Sequence, residues 1–113
     1  MPKMNEDLRG ALRAYAALMK SGAYFEAHEA LEEAWHPLRL RKDSRANLAK
    51  GLINAAIALE HLRRNRPKSR INALKTVAAF DRYKGLCREG MEAYEEFAAA
   101  CAIAETLRTE AGI

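Results

Sequence analysis

Apolar residues recur at helical spacing along most of the chain. In the first segment they recur every three or four residues, at Leu8, Leu12, Tyr15 with its neighbour Ala16, and Met19. This spacing places them on one face of an α-helix. The same periodicity, read together with capping and breaking residues, predicts five helices. They cover about residues 6–20, 23–38, 44–64, 68–85 and 90–110.

Helix-breaking residues separate these segments and set their expected ends. Asn5 is a suitable N-cap for the first helix, and Pro37 marks the end of the second. The third helix is apolar on most sides, which is typical of a buried central helix. In the fourth segment we expect these residues to face inward: Ile71, Leu74, Val77, Ala78 and Leu86.

The composition supports an all-α fold. The chain holds 23 alanines but only nine Val, Ile or Thr residues, and Ala is the strongest helix former. Short connections make antiparallel neighbours the natural arrangement. We therefore expect one helical domain over residues 1–113, built as a small bundle or as tetratricopeptide-like hairpins. A weak internal sequence similarity between the segments SGAYFEAHEALEEA and NRPKSRINALKTVA favours the hairpins.

Several classes of protein are not indicated by the sequence. No apolar run approaches the ~20 residues that span a bilayer, and the N-terminus lacks an apolar signal region. The two cysteines, Cys87 and Cys101, form no Cys-x-x-Cys pair. We expect both to be reduced thiols in a soluble cytoplasmic protein.

Charge is distributed in blocks. Residues 39–88 hold fourteen Lys or Arg against Asp43, Glu60 and Asp81, so their net charge is +11. Such a segment suits an anionic partner, and we expect an acidic protein rather than nucleic acid, because no aromatic residue is interleaved with the basic ones. The alternative is solvated loop charge balanced by the acidic helices.

The second helix carries the residues that break the apolar pattern. On a helical wheel His28 and Glu32 fall in the middle of the apolar face, between aromatic residues. A carboxylate buried there is costly unless it is paired or protonated. On the third helix, Asn54 and His61 also share one face. If the two helices pack antiparallel, these four side chains would form one buried polar cluster.

This cluster allows three interpretations. The first is a divalent-metal site for zinc, iron, manganese or nickel, in which His28, Glu32 and His61 are the ligands and Glu29 is a candidate base. The second is a metal-free acid–base site, and the third is a structural network that fixes helix register. The supporting residues would be Trp35, Asn54, Phe25 and Tyr24. In the structural case the chain is a non-catalytic helical-repeat interaction module. A further alternative is a homo-oligomer that uses the aromatic face as its interface.

The motif itself resembles a known family. The segment YFEAHEALEEAW (24–35), followed by GLIN (51–54) and ALEHLRR (58–64), is similar to the prokaryotic family called domain of unknown function 309. That family carries a His-x-x-x-Glu-x-x-Trp motif, here His28, Glu32 and Trp35. The resemblance implies a small all-helical protein and a metal-binding role for the motif, without an assigned reaction. The family often has Gln where this chain has Asn54.

Overall fold

Five α-helices account for most of residues 7–113, which are the residues that this computed structural model describes. They are α1 (Leu8–Lys20), α2 (Tyr24–Leu40), α3 (Arg45–Arg64), α4 (Ser69–Tyr83) and α5 (Tyr94–Glu110). A short 3-10 turn, Lys84–Leu86, follows α4. No strand occurs within the described range, so the all-α prediction is confirmed.

The first helix begins one residue after a side-chain cap. An Asp7 carboxylate oxygen accepts a hydrogen bond from the Gly10 amide at 2.9 Å, and Asp7 is therefore the N-cap of α1. The predicted cap, Asn5, and the predicted first helical residue lie outside the described residues.

The second helix is longer than predicted because Pro37 does not end it. Pro37 lies inside the last turns, and α2 continues to Leu40. Pro37 cannot donate an amide hydrogen bond, yet its carbonyl accepts from the Arg41 amide at 3.2 Å. Leu38 is buried, and its carbonyl accepts from the Asp43 amide at 2.9 Å. These contacts hold the final turn despite the proline.

The fifth helix starts four residues later than predicted. Gly90 has φ +91° and Ala93 has φ 62°, so the chain makes left-handed turns before Tyr94. Met91 lies in this turn, where its carbonyl accepts from the Tyr94 amide at 3.2 Å. The left-handed residues interrupt the apolar periodicity that the sequence shows through residues 90–94.

The third helix is the centre of the bundle, as its apolar surface predicts. It packs against α2, α4 and α5, while α1 packs against α2 and α5. Its Gly51 lets α4 approach closely: a Cβ at this position would lie 3.3 Å from the Ala79 carbonyl oxygen and from the Phe80 Cα. The core is one cluster drawn from α1 to α5, with Leu12, Tyr15, Leu31, Leu52, Phe80 and Phe97 among its largest members.

The fourth helix presents a different face to the core from the one predicted. Ala73, Val77 and Phe80 are buried against α3. Four of the five residues expected to face inward are exposed instead: Ile71, Leu74, Ala78 and Leu86. The close approach of α4 to Gly51 fixes the rotation of the helix, and this rotation leaves Ile71 and Leu74 outside.

Within residues 7–113 no helix combines the length and the apolar character needed to cross a bilayer.

Candidate functional site

The buried face of α2 is formed by small and aliphatic residues, not by the aromatic ones. Its buried members are Ala27, Leu31, Ala34 and Leu38. At 3.6 residues per turn, the centre of this face lies about 90° around the helix from His28. The prediction that His28 and Glu32 occupy the middle of the buried face is therefore wrong. Ala27 and Ala34 let α2 pack closely on its neighbours, whereas the larger aromatic rings lie along the edge.

His28 and Glu32 are neighbours at this edge. The His28 Nδ1 atom donates to the Phe25 carbonyl oxygen at 3.0 Å, since a carbonyl can only accept. The other ring nitrogen, Nε2, lies 3.8 Å from Glu32 Oε2. The Glu32 side chain is 44% exposed, so this pair is a surface contact. The pairing of the two residues, one turn apart, is as the sequence predicts, but its burial is not.

A cleft of about 210 Å³ lies between the start of α2 and the end of α3. It is lined by Phe25, His28, Ile57, Glu60, His61 and Arg64. Two residues that the sequence places on separate helices, His28 and His61, thus face the same space. The two helices run antiparallel, as predicted, and this brings the two histidines to one cleft, which Glu32 and Asn54 do not line. The cleft is open to solvent rather than part of the core.

Glu60 is a member of this cleft that the sequence analysis missed. Its Oε2 atom accepts from Arg64 Nε at 3.1 Å, while its Oε1 atom is buried without a hydrogen-bond partner among the described residues. An unsatisfied buried carboxylate oxygen is costly, and it attracts any donor that can reach it. The available signal was the i, i+4 spacing of Glu60 and Arg64 beside His61.

Trp35 lies at the other end of the contact between α2 and α3, and we call the surface along this contact, from the Phe25 cleft to Trp35, the α2–α3 groove. The Arg39 Cζ atom lies 5.4 Å from the centre of the Trp35 ring, and Lys50 Nζ, from α3, lies 5.9 Å from it. Both distances are in the range of cation–π attraction. The His36 ring also lies against Trp35, with 4.9 Å between ring centres. Neither Arg39 nor Lys50 forms an ion pair with any residue of the range 7–113.

The remaining predicted site residues are not all drawn into this groove. Asn54 is partly buried on the α3 face that carries Lys50 and His61. Glu29 is exposed. Tyr24 lines a different cleft of about 510 Å³, shared with Leu59 and others near the end of α1. Tyr24 does not line the cleft that the two histidines share.

The three predicted metal ligands do not converge. Among the residues that the structure describes, no three His, Cys, Asp or Glu side chains are arranged to hold a metal ion together. The rotation of α2 explains this arrangement, since it places Glu32 on the partly exposed edge while His28 lines the cleft with His61. The side chains as placed do not fit the metal site that the family resemblance implies.

The basic segment is only partly neutralised inside the chain. Arg45 is held by Asp43 at 2.7 Å and by Glu92 at 2.8 Å, and hydrogen bonding to Arg45 lowers the Asp43 pKa to about 2. The acids of α5 pair with basic residues outside the groove: Arg9 and Arg13 with Glu96, and Lys84 and Arg108 with Glu105. At the ends of α3, Arg45 and Arg64 are thus paired with carboxylates, whereas Arg63 forms no ion pair within residues 7–113.

The groove lies within the region that defines the family of this chain. The fold of the chain is an all-α bundle, and α2 and α3 carry the groove described above. The family model described as Domain of unknown function (DUF309) matches residues 12–72, more than half of the chain, and the chain belongs to that family. This range contains all of α2 and α3. No curated protein and no solved structure matches the chain.

Proposed function

We propose that this protein is a non-catalytic helical interaction module that binds an acidic protein segment along the groove between α2 and α3. The observation that carries the proposal is the Trp35 end of the groove. There Arg39 and Lys50 flank one partly buried aromatic ring from two different helices, and no carboxylate of residues 7–113 pairs with either cation. A partner carboxylate would find two cations, and its neighbouring side chain would find an aromatic surface.

The other end of the groove suits an apolar anchor with backbone contacts. Phe25 and Ile57 give the cleft apolar walls, and Phe25 is 45% exposed. The Nδ1 atom of His28 donates to the Phe25 carbonyl, and its Nε2 atom lies 3.8 Å from Glu32 Oε2. The His28 ring thus offers a polar contact for the partner beside the apolar walls of the cleft.

The length of the groove sets the spacing of the partner motif. Phe25 and Trp35 are ten residues apart on α2, which corresponds to about 15 Å along the helix axis. An extended chain covers this distance in four to five residues at roughly 3.3 Å each. The proposed segment therefore has a large apolar residue followed, about four or five residues later, by acidic residues.

The chain has a single tryptophan, which makes the test direct. A tryptophan-free peptide with Phe and two downstream Glu residues at the spacing above is titrated against the full-length chain at low salt, and Trp35 fluorescence is followed. We expect saturable binding that weakens at least about tenfold in Lys50→Glu. The matched control is Arg88→Glu, which reverses an exposed cation between α4 and α5 and should change the affinity by less than about twofold.

A second peptide, in which each Glu is replaced by Gln, separates a specific site from general attraction. The proposal requires the Gln peptide to bind much more weakly than the Glu peptide. It fails if both peptides bind alike, or if Lys50→Glu and Arg88→Glu weaken binding equally, since equal losses would reflect net charge alone.

A further inference from the structure

The outer face of α4 carries an apolar row that no other part of the described chain covers. Ile71 is 55% exposed, Leu74 is 44% exposed, and Ala78 is also exposed. Their spacing of three and four residues places them on one stripe of the helix. The opposite face of α4, with Ala73, Val77 and Phe80, is already packed on α3. The apolar stripe is therefore not part of the hydrophobic core of this chain.

Basic residues border this stripe. Lys68, Lys75 and Arg82 are spaced seven residues apart and form a row along one side of it. All three are exposed, and none forms an ion pair within residues 7–113. Arg70 borders the other side and donates to the Gly112 carbonyl oxygen at 2.8 Å. The first turn of α4 contains no acidic residue.

The seven-residue repeat matches the geometry of a helix-to-helix seam. In a two-helix contact, apolar residues at alternating three and four spacing form the seam, and the flanking positions set partner choice through charge. Ile71, Leu74 and Ala78 supply such a seam over two turns, and the basic row supplies the flanking charges. Asp81 would fall next in the seam, but Arg108 holds it at 2.7 Å. The seam therefore ends before Asp81.

We infer that the outer face of α4 docks an amphipathic helix of an acidic partner protein, with an apolar stripe flanked by Glu or Asp. Charge complementarity selects this occupant over a second copy of the chain. Two copies of this face would set Lys75 and Arg82 against basic side chains of the other copy, and like charges at flanking positions oppose pairing. This surface lies outside the groove between α2 and α3, so the inference goes beyond the proposed function.

The test uses a fluorescein-labelled helical peptide with three heptads, Leu at the seam positions and Glu at the flanking positions. Binding to the full-length chain is followed by fluorescence anisotropy. We expect Leu74→Ser to weaken binding at least tenfold. The matched control is Leu86→Ser, which removes a leucine of nearly equal exposure, 43%, from outside the stripe and should change the affinity less than twofold.

A charge-reversal variant provides a second, independent test, which does not depend on how Leu74→Ser affects the fold. Lys75→Glu should weaken binding of the Glu peptide and strengthen binding of its Lys-substituted twin by at least threefold. Equal effects of Leu74→Ser and Leu86→Ser, or no swap of preference in Lys75→Glu, would overturn the inference. A dimer of the wild-type chain in light scattering that Leu74→Ser dissociates would also overturn it, because the occupant would then be a second copy.

The two proposals fail separately. Lys50→Glu should leave the affinity for the helical peptide unchanged, and Leu74→Ser should leave the groove peptide bound to Trp35 as in the wild type. If Lys50→Glu weakened both peptides equally, the α4 face would not be a separate surface and the inference would be wrong.

Discussion

The Lys50 Nζ atom on α3 lies 5.9 Å from the centre of the Trp35 ring on α2, and this contact defines one end of the α2–α3 groove. The same two helices bring His28 and His61 to one cleft at the other end. The groove therefore joins an apolar cleft to a cationic aromatic surface, and both belong to the stretch matched by the family model.

The rotation of α2 gives the first stability prediction. Leu31 is fully buried, whereas His28 lies at the edge of the helix face. Leu31→Ala should lower the free energy of unfolding by about 2–4 kcal/mol because it leaves a cavity. His28→Ala should cost about 1 kcal/mol, since it removes one hydrogen bond of a partly buried ring. Urea unfolding measures both. If His28→Ala lowered the free energy of unfolding more than Leu31→Ala does, the rotation of α2 predicted from the sequence would be the correct one.

The sequence predicted the helices better than it predicted their rotation. Periodicity identified all five, and the buried residues Leu12, Tyr15 and Met19 of α1 are those expected. In α2 the helical wheel gave most weight to the large aromatic residues, but close helix packing instead buried Ala27 and Ala34. Side-chain hydrophobicity alone cannot show which face permits the closest approach of two helices.

The same limit applies to the candidate site. The sequence predicts that His28 and His61 meet if α2 and α3 pack antiparallel, and both histidines line one cleft. It could not find Glu60, whose buried Oε1 atom depends on how α3 rotates against α2. A rotation of about 90° moves Glu32 from the centre of a helix face to its edge, and no local pattern in the sequence encodes that angle.

Acid unfolding tests the ion pairs at the start of α3. Arg45 lowers the Asp43 pKa to about 2, mainly through their hydrogen bonds. A folded-state pKa below the ordinary value stabilises the fold above about pH 4, and this contribution is lost as the pH falls towards 2. Asp43→Asn should therefore cost about 1–2 kcal/mol at pH 7.

The difference between wild type and Asp43→Asn should then shrink as urea unfolding is repeated from pH 5 down to pH 2. The control is Glu92→Gln, because Glu92 contacts the same arginine but is 71% exposed. A difference that persists unchanged at pH 2 would mean that the carboxylate charge of Asp43 is not what stabilises the turn.

A buried tyrosine connects α1 to α3. The Tyr15 hydroxyl donates to the Leu52 carbonyl oxygen at 2.6 Å, and burial raises the Tyr15 pKa well above 10. Tyr15→Phe should lower the unfolding free energy by about 1 kcal/mol, the usual contribution of one buried hydrogen bond. In a spectrophotometric titration, Tyr15 should remain un-ionised until the protein unfolds at high pH. Ionisation of all four tyrosines near pH 10 in folded protein would contradict this placement.

The two thiols should react slowly. Burial raises the pKa of Cys101 to about 12 and also raises the pKa of Cys87. Since the thiolate is the nucleophile, alkylation of Cys101 at pH 8 should be far slower than that of an unfolded control peptide. Timed iodoacetamide labelling with peptide mass spectrometry measures each site. Rapid labelling of Cys101 in the folded protein would contradict the raised pKa of this partly buried thiol.

Elemental analysis tests the metal binding that the sequence suggests at His28, Glu32 and His61. Because the three side chains do not converge among the described residues, we expect less than about 0.1 equivalent of metal per chain in protein purified without chelator. Near-stoichiometric zinc, iron, manganese or nickel that is lost in both His28→Ala and Glu32→Ala would show that the groove rearranges around an ion.

The most direct test of the groove is a map of backbone amide chemical shifts recorded while the Glu-containing peptide is added to ¹⁵N-labelled protein. We expect the largest changes on α2 and α3, at Phe25, His28, Trp35, Lys50 and His61. Amides of the α4 stripe, around Ile71 and Leu74, should change little. Shifts concentrated on α4, or spread evenly over all basic residues, would contradict the groove as the binding site.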